Sequence, residues 1–534
     1  MKRKLRLGLF AIICACVTCG CSLTLTSFST SSITSHTINT TNTQSSNNDN
    51  NANSSSTVKS ISLNYSTRTL SIGESVKLIA DVNPANQSSN IDFTSIDSSV
   101  ASVSEEGLVT ALKEGKTTIT ASSKDGLKST SCLITVSNES VDDWTIMIYM
   151  CGSSLESGYE NGRYEYDDYL ASSDIDEIVE GNKPESVNII LETGGSKRWR
   201  SNNGYGISSS KLERWEVSGK TLTKVDSLTN ASMGKSATFQ NFLEWGLKNY
   251  PAERTGVILW NHGGAMFGVC NDENYNDDAL TSNEVKTALT NAFNTTGRDE
   301  KLEWIGYDAC LMQLQDVADF NSGFFNYMVA SQESEEGNGW DYDVWLNTLY
   351  NNPKNVTTKT LHKSVADSFI SDNGGVSKSG GDQTLSCLDL SKMNDYHFSW
   401  ETLASDLTTV LKNSTSNVKT FNNLVNSTKY FGGTDYDYFC TFDAMDFLKN
   451  LQTSSTFKSI NSISSAISSL EDVIVYNTVQ TSKAKDAYGL SFYYVIDNSY
   501  RQSSYCTSTY SNFTCWNALS KAYGTQTSSW GGYR

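Results

Sequence analysis

Positive charge is in short supply in this chain. Its 534 residues hold 41 Lys and Arg against 59 Asp and Glu, a formal net charge of -18. A chain this acidic lacks the clustered cations that nucleic-acid phosphates demand, so nucleic acid is excluded as a partner and cationic substrates are favoured. Histidine is scarcer still, with 4 in the whole sequence, which leaves few places for imidazole chemistry. The apolar run from Leu7 to Val17 is too short to span a bilayer permanently. Eight cysteines lie beyond the N-terminal cluster: Cys132, Cys151, Cys270, Cys310, Cys387, Cys440, Cys506 and Cys515. They form no CxxC pair and no metal-ligand spacing, which argues against a zinc site. If one is a catalytic thiol, the other seven cannot all pair with one another. Many are therefore expected to be buried and reduced, with Cys506 and Cys515 the local candidates for a bridge.

What the sequence does hold is a globular balance, 38% hydrophobic and 19% charged, in a chain long enough to need several domains. Lys2, Arg3, Lys4 and Arg6 precede the apolar run, and Cys14, Cys16, Cys19 and Cys21 close it, the layout of a secretory signal over residues 1–21. Gly20-Cys21-Ser22 resembles the end of a bacterial lipobox, which implies a lipidated Cys21 and an extracellular protein anchored to the cell membrane. Residues 22–57 are almost entirely Ser, Thr and Asn, a composition that cannot offset its ordering entropy and predicts a flexible tether. In residues 58–137 short apolar runs such as Val76 to Val82 alternate with turn-rich stretches, predicting a small β-sandwich. Ser99 to Ser104, Gly107 to Gly115 and Thr118 to Ala121 resemble the bacterial immunoglobulin-like domain of group 2, which implies a spacer or a wall-binding module. With no exposed aromatic cluster in view, the spacer is the expectation.

From residue 142 to 525 the texture becomes α/β, with apolar strands alternating with amphipathic helices around a mainly parallel sheet. Strands are expected at Trp144–Met150, Val187–Glu192, Gly256–Trp260, Trp304–Tyr307, Phe324–Ala330 and Leu490–Val495, and a capping box, Thr281 with Glu284, opens a helix between the third and fourth. The strand ending at Trp260 runs into Asn261-His262-Gly263-Gly264. The strand ending at Tyr307 runs into Asp308-Ala309-Cys310-Leu311-Met312. Ligands of open parallel sheets bind beyond the carboxyl ends of the strands, so neighbouring strands would join His262 to Cys310 across 48 residues.

That pair suits nucleophilic catalysis. A cysteine attacks as thiolate, and an ion pair with His262 and a helix starting near Leu311 would both favour the anion. Gly263 and Gly264 allow a substrate backbone to approach and leave amides for an oxyanion. Among the other histidines, His36 falls in the tether, and His362 and His397 in segments that read as ordinary helix or surface.

An apolar strand ending in His-Gly followed by one ending in Asp-Ala-Cys resembles the caspase-like clan of cysteine peptidases. The stretches Asp143 to Met150, Leu259 to Gly264, Ile305 to Met312 and Ala330 to Trp340 match its clostripain family. The resemblance implies a caspase-like α/β/α sandwich and cleavage of protein or peptide substrates after Arg or Lys. It also implies His262 as general base, Cys310 as nucleophile, Asp308 as an acid lining the S1 pocket and, in many members, calcium dependence. After Met150 this chain departs from the family with Cys151-Gly152-Ser153-Ser154. The acidic loop with Asp272, Glu273, Asp277 and Asp278 offers the hard oxygen ligands calcium would take. With no Lys or Arg in residues 266–285, any maturation cut is expected at Arg298 or Lys301. The alternative function is a non-catalytic surface protein on a peptidase-like scaffold.

Overall fold

A computed structural model of the chain describes residues 58–524 other than 85–86, 88–89, 138–140, 161, 166, 168, 202–204, 372–382, 413, 433–440, 480–483 and 495–510. The expected signal, tether, lipidated Cys21 and His36, together with Cys440 and Cys506, lie outside the described residues.

Nine strands form the central sheet: β1 (Asp142–Cys151), β2 (Val187–Gly194), β3 (Lys211–Ser218), β4 (Thr221–Thr229), β5 (Ala252–Trp260), β6 (Leu302–Asp308), β7 (Phe325–Ala330), β8 (Thr384–Asp389) and β9 (Ile474–Val479). Their order is β4-β3-β2-β1-β5-β6-β7-β8-β9. The five central strands are parallel and an antiparallel pair closes each edge. Five of the expected strands are the parallel core. The sixth is observed as Ser491–Tyr493, in a separate three-stranded sheet with Tyr430–Phe431 and Thr441–Asp443.

Twelve helices occur among the described residues: α1 (Ser153–Ser157), α2 (Leu170–Glu180), α3 (Ser236–Asn249), α4 (Ser282–Thr296), α5 (Gln315–Asn321), α6 (Tyr342–Asn351), α7 (Thr358–Ser371), α8 (Met393–Leu411), α9 (Thr415–Ser427), α10 (Ala444–Thr453), α11 (Ser462–Val473) and α12 (Thr514–Tyr523). They cover both faces of the sheet, which is why its strands read as continuous apolar runs. Side chains alternate between the faces. Ile146, Ile148, Ile258, Trp260 and Trp304 pack on α2, α6 and α7, while Met147, Tyr149, Val257, Leu259, Ile305 and Tyr307 meet α3, α4 and α5. The capping box at Thr281 and Glu284 opens α4 as expected.

The N-terminal module is a sandwich of a four-stranded sheet (Thr67–Leu70, Ser129–Val136, Gly115–Ser123, Ile91–Ser95) and a three-stranded sheet (Ser75–Lys77, Leu108–Ala111, Ala101–Val103) around Leu70, Val109, Ile119 and Ile134. The module belongs to one unit with the α/β domain. Arg68, 2% exposed, places Nη1 3.0 Å from Oε1 of Glu253 in β5. Ser66 donates to Glu303 of β6 at 2.7 Å, and Lys359 pairs with Asp81. Glu253 and Glu303 sit where β5 and β6 begin, so the module covers the end of the sheet opposite His262 and Cys310.

Candidate active site

β5 and β6 are direct parallel neighbours in the register Trp260 to Asp308, and His262 and Cys310 each lie two residues beyond. Gly263 lies flat against the cysteine loop: a Cβ built there would stand 2.2 Å from the carbonyl oxygen of Cys310 and 3.0 Å from its nitrogen. Only glycine lets the two backbones approach so closely. Asn261 fastens the assembly by donating to the Cys151 carbonyl at 2.6 Å and accepting the amide of Asn271 at 2.8 Å. Ser153, Ala265, Cys270 and Leu311, all non-glycine residues with φ between +50° and +67°, flank the pair. Strained backbone of this kind concentrates at functional sites.

Both groups are half-buried. Nε2 of His262 lies 3.1 Å from Oγ of Ser154, and Sγ of Cys310 accepts the Glu335 amide at 3.2 Å. Burial pulls the imidazole down to about 4 and, with Glu335 and Glu333 facing the thiol, pushes Cys310 up to about 12. Burial thus favours the thiol and the neutral imidazole over their ions. The helix expected at Leu311 is displaced. Leu311 turns with φ +67° and α5 starts only at Gln315, so no helix dipole acts on the sulfur. Alkylation of Cys310 by iodoacetamide, followed by peptide mapping, is expected to rise steadily through pH 9 without a plateau near neutrality. A plateau beginning between pH 4 and 6 would show a resting ion pair instead.

Asp308 is 4% exposed and turns toward the α2 and α6 face, accepting the Tyr342 hydroxyl at 3.0 Å and the Trp340 amide at 3.3 Å. Cys310 packs against the core of the opposite face. The two side chains thus do not share a side as strand alternation predicts, because the strand ends at Asp308. Asp174 of α2, 1% exposed, accepts Trp260 Nε1 at 2.6 Å. Gly339, φ +65°, covers both acids: a Cβ there would stand 2.8 Å from Asp174 and 3.1 Å from Asp308. Glu335 lies beside Asp308. Burial pushes Asp308 up to about 6, and burial with the neighbouring carboxylate raises Asp174 and Glu335 well above the usual range. Three carboxyls this close share protons instead of ionising together. Sequence reasoning missed Asp174 and Ser154. Asp174 had a signal, since it interrupts the apolar stripe of Ala171, Ile175 and Ile178 on the buried face of α2.

The segment bearing Glu333 and Glu335 is held by the C-terminal part of the chain. Gln332 donates to Asp443 at 3.0 Å and to Ser491 at 3.1 Å, and accepts the Gly489 amide at 2.7 Å. Ser491 in turn donates its amide to the Gln313 carbonyl at 2.9 Å.

The acidic loop does not fit calcium. Asp272 accepts the amides of Met233 and Asn274, each at 2.9 Å. Glu273 accepts the Lys197 amide at 2.6 Å, Asp278 pairs with Lys235 at 2.7 Å, and Asp277 feels mainly burial and Lys197. These carboxylates serve separate partners, and among the described residues no three His, Cys, Asp or Glu side chains are placed to hold a metal ion. His362 and His397 both fall in helices, as expected: His362 in α7 is buried against the rings of Trp304 and Tyr327, and His397 in α8 pairs with Asp319 at 3.0 Å. Arg298 and Lys301, the expected sites of a maturation cut, are half-buried in the short turn between α4 and β6.

The clostripain family pattern matches residues 148–531, and that of the bacterial Ig-like domain (group 2) matches residues 57–134. Clostripain of Hathewaya histolytica is 24% identical over 452 residues, covering 73% of this chain and 82% of that protein. A secreted C11 cysteine protease from Bacteroides thetaiotaomicron, solved with an irreversible peptide inhibitor, superposes with a TM-score of 0.49 at 14% identity, covering 71% of this chain and 99% of that one. An inactive zymogen C11 protease from Parabacteroides distasonis gives 0.47 at 18% identity, covering 67% and 93%.

Proposed function

Since the chain belongs to the clostripain family and is a cysteine endopeptidase, we propose that His262 and Cys310 are its catalytic dyad and that it cleaves after Arg or Lys. The observation that carries the dyad is the close apposition of the His262 and Cys310 loops at adjacent strand ends, with Gly263 against the Cys310 backbone. His262 takes the thiol proton as the sulfur attacks the scissile carbonyl carbon, and the Gly263 amide serves the developing oxyanion. The imidazolium then returns its proton to the departing amine. Water, deprotonated by the same imidazole, hydrolyses the thioester and restores the thiol.

Specificity is assigned to the buried acids. A guanidinium or ammonium entering beside Asp308 and Glu335 would be paired by charge-assisted hydrogen bonds. The enzyme is further proposed to be secreted and anchored at the cell surface through Cys21. Among the described residues no helix is long and apolar enough to cross a membrane.

The test compares kcat/KM for Arg and norleucine P1 peptides in wild type and Asp308→Asn. A specificity role predicts a loss of about 2–4 kcal/mol for Arg and little for norleucine. In wild type, KM for the Arg peptide is expected to rise as pH falls through about 6, because protonated Asp308 no longer pairs with a cation. Equal losses on both peptides would assign Asp308 to holding Trp340 and Tyr342.

A further inference from the structure

The loop after β1 departs from the family pattern, and its geometry gives that departure a role. It turns at Gly152, where a Cβ would stand 2.9 Å from Trp199 and 3.0 Å from Ser196, and at Ser153, φ +50°. The Gly152 amide donates to the Gly194 carbonyl at 2.9 Å, and Ser196 Oγ donates to the Ser153 carbonyl at 3.0 Å. Glu156, buried in the same short helix, accepts the Ser172 amide at 2.9 Å and the Arg200 amide at 2.8 Å. The turn is thus fixed from β2, α2 and the segment after β2, while Asn261 ties its base to the histidine loop. Ser154 is the residue this framework presents to the imidazole, with Oγ 3.1 Å from Nε2.

We propose that Ser154 is the positioning residue of His262: its hydroxyl oxygen accepts the Nε2–H, which fixes the tautomer in which Nδ1 is left unprotonated to act as the base. The inference rests on the dyad reading above. A neutral imidazole carries one proton, and whichever nitrogen holds it cannot act as base. Without a partner for Nε2–H, the ring divides between two tautomers and two orientations, and one of each is unproductive. The hydroxyl supplies orientation without charge, in keeping with an imidazole that rests neutral. Its second lone pair and its own proton remain free for solvent or substrate.

The experiment measures kcat and KM on an Arg-terminated peptide for Ser154→Ala, Ser154→Thr, His262→Ala and Cys310→Ala, with 15N spectra of histidine-labelled protein. Four histidines keep those spectra assignable, and His262→Ala identifies the resonance. Loss of one neutral hydrogen bond that orients a base predicts a fall in kcat of roughly tenfold or more in Ser154→Ala, with KM and melting temperature unchanged. Ser154→Thr, which keeps the hydroxyl, is expected to restore the rate. The 15N shifts of His262 should move from an Nε2–H form toward a tautomer mixture in Ser154→Ala, a change that a merely structural role would not produce. Wild-type kcat and an unchanged tautomer in Ser154→Ala would overturn the proposal while leaving the dyad intact if His262→Ala and Cys310→Ala are inactive. Turnover retained in either of those two would overturn the dyad and this inference with it.

Discussion

Cys310→Ala and His262→Ala are each expected to lower kcat by at least about four orders of magnitude, with no change in circular dichroism. The reason is chemical before it is structural. Without the sulfur no thioester forms, and without the imidazole a thiol held near 12 has no acceptor for its proton. The two side chains work as one nucleophilic unit, so the double variant is expected to be no worse than either single one. Neither substitution should disturb the fold. Both positions are half-buried. Removing the imidazole releases the Ser154 hydroxyl, and removing the sulfur releases the Glu335 amide, groups that water can solvate in their place. Turnover near the wild-type rate in Cys310→Ala would discard the mechanism.

The second large effect lies at the other end of the sheet. Arg68→Ala is expected to destabilise the protein by about 3–5 kcal/mol, read as a shift in the midpoint of chemical denaturation. Glu253 is almost as buried as Arg68, with a side chain 8% exposed. Burial already raises its pKa despite the nearby guanidinium. Removing the cation leaves a carboxylate in a low-dielectric interface without its partner, and that desolvation sets the size of the effect. An apolar double replacement, Arg68→Met with Glu253→Met, is expected to recover most of the loss, since neither charge then has to be buried. The module and the α/β domain should unfold in one transition in wild type. Two separate transitions, or a loss in Arg68→Ala below about 1 kcal/mol, would show that the interface is incidental.

How much of this was legible in the sequence depended on where charge was placed. The five parallel strands announced themselves because both faces are covered and their central residues form apolar runs such as Val257 to Trp260. β3 escaped notice because Lys211, Glu213, Arg214 and Glu216 give it the look of surface, whereas Arg214 is buried on Glu192 at 2.8 Å and Glu213 pairs with Lys224. Docking of the immunoglobulin-like module was hidden for the same reason, since Arg68, Glu253, Arg254 and Glu303 read as solvated residues. The adjacency of the strands that lead to His262 and Cys310 was legible in the two apolar runs. The surroundings of the sulfur were not. Leu311 is a good helix former by composition, and only the three-dimensional turn reveals its positive φ. Glu335 approaches the thiol through a segment tied down far along the chain, which no local pattern encodes.

That tie has a consequence in time. Gln332 satisfies its amide through Asp443, Gly489 and Ser491, so the Glu333–Glu335 segment gains its full set of ties only when nearly the whole polypeptide has been made. Pairings so distant in sequence form late. A nascent chain that ends short of Gly489 already carries His262 and Cys310, yet is expected to be inert toward its neighbours.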